Sequence, residues 1–365
     1  MDTRRCAVSV GLALLALTTL GLGCQRQAEA PQPKAVGAAP QGVQSASATH
    51  TRVSGPFQHE NLAVFLVHGK STLDGTAFLT LDEALARKVL VVHETENVNE
   101  LTVDNLSEKE SIFIQGGEMV SGGKQDRLLG TDLVVAPKTR GMKVPSYCVE
   151  HARWSRRGTQ SAAEFTTNSN YVRRLTRDNV AEVGNVPASQ EKVWAKVRQL
   201  QQAETGNVPG MALNALSPSS LDLTHEDPKL RAAAQKYTDK LKGIIEGKAD
   251  VIGFVCAING EVDGADVYGS AALFRKLWPK LLEATALDAI AKLQKGKQFE
   301  APSAEKAERC LTAQREGKAL KRTATERISG NMVLRVRETD SDVLLETVDE
   351  GVAEPAIIHR AYEKK

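Results

Sequence analysis

Motifs that would announce a chemistry are missing from this chain. It has no Cys-x-x-Cys pair, His-Glu-x-x-His, Gly-x-Ser-x-Gly, Walker loop, dinucleotide fingerprint or kinase-like set. Their absence excludes the zinc, acyl-transfer and phosphate-cradling sites that can be recognised by spacing alone. His59, His68, His93, His151, His225 and His359 are scattered without a close second ligand, so no metal and no cofactor is expected. The chain also lacks charge of one sign. Its formal net charge is +2 with acids and bases interspersed, which offers nothing to a nucleic acid or a strongly charged substrate. Neither an internal repeat nor a heptad run occurs, and after residue 23 no apolar stretch is long enough to span a bilayer, so the body reads as soluble.

What is present begins with an export signal. Arg4 and Arg5 precede an uncharged small and apolar run from Cys6 to Gly23, the layout of a signal peptide. The run ends Leu20-Gly21-Leu22-Gly23-Cys24 and resembles a lipobox, with cleavage leaving Cys24 to be acylated. Residues 1–23 are therefore expected to be a lipoprotein signal and 24–55 a lipidated tether. Gln25 to Gly55 is Ala, Gln, Pro, Ser and Gly with few large apolar residues, too little to offset the entropy of ordering. The expected address is the cell envelope, with membrane lipid as partner. Gln25, where Asp would favour retention, points to the outer membrane of a diderm cell. Cys148, Cys256 and Cys310 then remain, an odd number that implies no disulfide framework.

From 56 to 365 the pattern is α+β. Leu62–Val67 reads as a buried strand, and Thr80 with Glu83 forms a capping box opening a short helix over 81–88. Further short strands are expected over 89–93, 100–103, 111–115, 132–136 and 143–149, so residues 56–154 form the β-rich half, an antiparallel sandwich-like sheet. Residues 155–365 form the helical half. Val193, Trp194, Val197 and Leu200 share one helical face, as do Leu230, Ala234, Tyr237, Leu241 and Ile245. Asn259-Gly260 joins two apolar runs into a hairpin over 251–268, because both turn residues tolerate positive φ. A helix from Ser270 to Leu293 should kink or split at Pro279, and strands over 332–336, 343–347 and 356–362 close the same single domain.

Two stretches can carry chemistry. In Gln115-Gly116-Gly117-Glu118-Met119-Val120-Ser121-Gly122-Gly123-Lys124-Gln125-Asp126-Arg127, paired glycines can bring backbone N–H groups to a phosphate or carboxylate, with Lys124 and Arg127 completing the site. The plainer reading is a hairpin whose glycines serve geometry. If the stretch is extended, Gln125 and Arg127 share one face and Lys124 and Asp126 the other. The second stretch, Cys148-Val149-Glu150-His151-Ala152-Arg153-Trp154, brings thiol, acid, imidazole, guanidinium and indole together. Cys148 is expected to be structural, since His151 would lie on the opposite face, while Glu150 and Arg153 suit a ligand or ion-pair role and Trp154 a stacking face or a core anchor. Asp263 and Asp266, three apart on a strand, are expected to face opposite sides.

With Asn61-Leu62-Ala63-Val64-Phe65, Gly122 to Arg127, Cys148 to Trp154, Gly264 to Ser270 and Phe274 to Lys280, the chain resembles the ARG and rhodanese-phosphatase-superfamily-associated protein domain, ARG meaning ADP-ribosylglycohydrolase. The resemblance implies binding or processing of nucleotide-derived ligands such as ADP-ribose. Carried over, it implies a site at Glu118, Lys124, Gln125, Arg127, Glu150 and Arg153. The expected ligand-binding set is thus Gly122, Gly123, Lys124, Gln125, Arg127, Glu150 and Arg153, with Glu118 and Glu150 the candidate catalytic residues. The expected function is binding of a small anionic ligand. Its rivals are a hydrolase acting on a ribosyl or phosphoryl bond and a non-catalytic envelope scaffold.

Overall fold

Alternating burial explains why Leu62–His68 lies deep in the molecule. Leu62, Val64 and Leu66 point into one apolar cluster and Ala63, Phe65 and Val67 into another, so both faces of the strand are covered. The computed structural model describes residues 51–73, 76–151, 153–158, 165–173, 175, 190–312, 320–352 and 354–365. The leader, Cys24 and most of the expected tether lie outside the described residues. The described residues belong to one compact unit, Ala46–Lys365.

In chain order the first half holds β1 (Arg52–His59), β2 (Leu62–His68), β3 (Phe78–Thr80), α1 (Leu81–Ala86), β4 (Leu90–Glu94), β5 (Glu100–Asn105), β6 (Ser111–Ile114), β7 (Glu118–Gly122), β8 (Arg127–Leu129), β9 (Leu133–Val135), β10 (Met142–Cys148) and β11 (Phe165–Tyr171). There follow α2 (Gln190–Asn207), α3 (Leu221–His225), α4 (Pro228–Leu241), a 3-10 turn (Lys242–Ile245), β12 (Val251–Ile258), β13 (Glu261–Tyr268), α5 (Ala271–Ala291), α6 (Ala304–Thr312), β14 (Arg322–Ser329), β15 (Met332–Glu338), β16 (Asp342–Asp349) and β17 (Ala356–Lys364). The fold is α+β. Ordered strand begins at Arg52, ahead of Pro56.

An eight-stranded sheet runs β1-β2-β12-β13-β17-β16-β15-β14, joining the start of the domain to its end. A six-stranded sheet, β11-β7-β8-β10-β5-β4, and a three-stranded one, β3-β6-β9, complete the β structure. All pairings are antiparallel except β3 with β6. The capping box forms as expected, with the Thr80 hydroxyl accepting from Glu83 N–H and the Glu83 carboxylate accepting from Thr80 N–H. The Asn259-Gly260 turn also forms, with φ of 54° and 81°.

Of the two outcomes expected at Pro279, the split does not occur: α5 runs through it, because Trp278, Leu281 and Leu282 around it are buried in the main core, and that packing offsets the ~3 kcal/mol a helix-interior proline costs. One expectation is corrected. Asp263 and Asp266 do not diverge, because Cys256 pairs with Gly264 while Ala257 pairs with Val262, leaving Asp263 as a bulge that shifts the parity of β13. Both carboxylates meet Arg173, Asp263 at 3.1 Å and Asp266 at 3.8 Å.

Candidate functional site

The glycine-flanked stretch folds as the β7–β8 hairpin, with the turn at 123–126. Its glycines are geometric. Gly123 has φ +58°, and a Cβ there would enter the Phe165 ring and come within 2.9 Å of Glu94 Oε2. That space lets Glu94 accept from the Lys124 N–H at 3.3 Å. The amides that could have formed an anion nest already meet the protein's own acceptors: Gly116 N–H donates to Asp132 at 2.9 Å, Gly117 N–H to the Leu129 carbonyl at 2.8 Å and Gly122 N–H to Asp126 at 3.3 Å. The expectation that Gly122 would hold an external anion through its N–H is corrected on this ground, and Gly123 acts through its conformation.

Because the turn is not extended, side chains expected on opposite faces meet. Lys124 Nζ lies 5.3 Å and the Arg127 guanidinium 4.9 Å from the centre of the Trp154 ring. Trp154 is 38% exposed, and so is a face and not a core anchor. Arg127 is fully buried, paired with Glu94 at 2.9 Å and donating to the Val98 carbonyl at 2.6 Å and the Cys148 sulfur at 3.2 Å. Gln125 donates to the Arg153 carbonyl, and Arg153 returns a bond to the Lys124 carbonyl at 3.0 Å. Lys124 also pairs with Glu96. Gln125 Oε1 and Arg127 Nε are buried without a hydrogen-bond partner among the described residues.

Glu150 anchors the second segment to the first. It pairs with Arg153 and with Arg157, both at 2.7 Å, and accepts from the Ser217 hydroxyl. Burial works against its charge, but Ser217, Arg153 and Arg157 outweigh that and hold the carboxyl below its ordinary range. Arg157 bridges further, to Asp126 at 3.1 Å and Asp222 at 3.3 Å. Lys124, Gln125, Arg127, Glu150 and Arg153 are thus brought together. Asp126, Arg157, Asp222 and Glu94 join them, although the sequence alone does not single them out as site residues. Arg157 and Asp126 stood beside chosen residues, whereas Glu94 and Asp222 carry no local signal, because only the fold brings them to the hairpin.

Glu118 does not join this group. It pairs with Lys280 on α5 at 2.9 Å and accepts from the Gln115 N–H at 2.8 Å, and Asp82 shares the same lysine. Burial pushes its pKa up against the pull of Lys280. Its candidacy as a catalytic base is corrected: the carboxylate ties β7 to α5 and, among the described residues, shares no partner with the Trp154 cluster. Cys148 is buried, and burial pushes its thiol up to about 11, so little nucleophilic thiolate exists at neutral pH. Cys148, Cys256 and Cys310 are all free and buried. Among the described residues no group of His, Cys, Asp and Glu has the arrangement of a metal site.

A separate open cleft of about 560 Å³ lies between the β1–β2 turn (Gln58, Glu60, Asn61) and residues 293–299 after α5. It contains none of the predicted site residues.

Residues 50–362 match the family model of the ARG and Rhodanese-Phosphatase-superfamily-associated Protein domain. No curated protein and no solved structure matches the chain.

Proposed function

The chain belongs to the ARG and rhodanese-phosphatase-superfamily-associated protein family, and from that premise we propose that it is a ligand-binding protein whose site is the face formed by Lys124, Arg127 and Trp154. The ligand is small and anionic and carries a flat ring, as ADP-ribose does. One observation carries this reading: a partly exposed indole with an ammonium and a guanidinium over its ring. An indole gives a stacking platform of about 1–3 kcal/mol per base, and cations beside it favour a negatively charged guest.

Binding is favoured over hydrolysis because the candidate bases are engaged. Glu118 is held by Lys280, and Glu150 is held by Arg153, Arg157 and Ser217. Titrating ADP-ribose into the full chain by calorimetry tests the reading. Saturable binding that weakens in Trp154→Ala, with no release of ribose or phosphate on prolonged incubation, supports it. Wild-type turnover would favour the hydrolase, and absence of binding to ADP-ribose and related nucleotides would favour the scaffold. We also propose that acylated Cys24 holds the protein at the cell envelope; the support is the Arg4-Arg5, apolar, Gly23-Cys24 pattern of the leader.

A further inference from the structure

Asp126 lies between two residues of the proposed site in sequence, and charges of both signs surround it in space. Its carboxylate is 3.1 Å from Arg157 and 3.7 Å from Arg153 and accepts from the Gly122 N–H. From α3, Asp222 faces it across Arg157, and Glu150 shares both arginines. From β4 and the turn after it, Glu94 and Glu96 hold Arg127 and Lys124 on the other side of the hairpin. In this network Glu94, Glu96, Asp126, Glu150 and Asp222 outnumber Lys124, Arg127, Arg153 and Arg157, so an approaching anion gains less from Lys124 and Arg127 while Asp126 is ionised than once it is neutral.

These carboxylates do not hold their charges equally. Burial, reinforced by the neighbouring charge of Asp222, pushes Asp126 up to about 6, despite Arg157 and Arg153. Glu150, sharing the same two arginines but also bonded by Ser217, is held low. A fall to mildly acidic pH therefore neutralises Asp126 while Glu150 stays ionised, removing one negative charge from the hairpin turn without breaking the Glu150 anchor.

We propose that protonation of Asp126 switches the Lys124–Arg127–Trp154 face into its anion-receptive state, so that the site takes its ligand in mildly acidic surroundings and releases it as the pH rises. This regulation rests on the functional reading above but can be observed without the ligand. Iodide serves as the anionic probe and acrylamide as the neutral reference for quenching of Trp154, whose emission is isolated by comparing the full chain with Trp154→Phe. Trp194 and Trp278 remain in both. The iodide-to-acrylamide quenching ratio of Trp154 is expected to rise about twofold between about pH 7.5 and 5, the effect of one charge removed within a Debye length. Its midpoint should lie near 6. Asp126→Asn should show the high ratio throughout, with no step.

A flat wild-type ratio, or a step that persists in Asp126→Asn, overturns the proposal. If Asp126→Asn fails to fold, Asp222→Asn decides: removing that charge must shift the midpoint downward, and an unmoved midpoint overturns the proposal equally. ADP-ribose binding, measured alongside at both pH values, separates the two claims. A clear quenching step with no ADP-ribose binding retains the switch and sinks the functional reading. Binding that is equal at both pH values with a flat ratio does the reverse.

Discussion

His359 on β17 lies 2.6 Å from Asp132, which is 227 positions earlier in the chain, and its other ring nitrogen lies 3.0 Å from Asp266 on β13. Asp132 in turn accepts from the Gly116 N–H and the Thr347 hydroxyl, so one buried imidazole ties the glycine-rich segment to the eight-stranded sheet. Burial opposes a charge on His359, but the two aspartates outweigh it and push its pKa up to about 9.

The sign of the resulting pH dependence is fixed. A histidine raised in the folded state stabilises fully below its unfolded pKa of about 6.5 and loses that contribution as pH rises through about 9. Urea midpoints for the wild type should therefore fall between pH 6.5 and 9.5. His359→Gln should lower stability at neutral pH by about 3–5 kcal/mol, since it strands buried carboxylates, and should flatten this alkaline slope. A wild-type curve flat across that range would show that His359 is not charged in the folded protein.

Lys280 is the counter-ion of buried Glu118, so Lys280→Met alone should destabilise by about 3–5 kcal/mol. Adding Glu118→Gln should restore most of that loss, because no buried charge is then left alone. Chemical denaturation of the two variants checks this. If the double variant folded well but lost ligand binding completely, the assignment of Glu118 to the scaffold would be wrong.

Trp154→Ala should separate binding from stability. The ring is partly exposed and its contacts with Lys124 and Arg127 are worth about 0.5–1 kcal/mol each, so the variant should stay within about 2 kcal/mol of the wild type. ADP-ribose affinity should nevertheless fall at least about tenfold. Arg127→Ala, by contrast, should lower both, since Glu94 is left without its buried partner. Calorimetry and thermal unfolding of the same preparations distinguish these patterns.

Cys24→Ala should abolish labelling by a radioactive or clickable fatty acid and release the protein from the membrane fraction. Labelling that survives the substitution would place the lipid elsewhere or deny it.

Local features of the fold were legible in the sequence. Thr80 with Glu83 and Asn259 with Gly260 act over a few residues, and each appears where its chemistry put it. The plainer reading of the glycine-rich stretch, a hairpin whose glycines serve geometry, is the one β7 and β8 form, whereas β14 carries no apolar signal because Arg322–Ser329 is a polar edge with no fully buried residue. The Asp263 bulge was invisible since alternation along β13 predicts the wrong side. At the site, Arg127, Glu150 and Arg153 could be picked from adjacency in two segments, whereas Glu94 and Asp222 could not, because only the fold carries them to the hairpin.

β2 pairs with β1 on one side and with β12 on the other, and the Asn61 and Asn259 side chains bond at the end of that seam although 198 positions separate them. A chain emerging N-terminus first must therefore keep this buried, apolar strand unpaired along one edge until two thirds of the polypeptide has appeared. Slow, late-committing assembly follows from such long-range pairing, and any product truncated before Val251 would present a sticky strand to its neighbours.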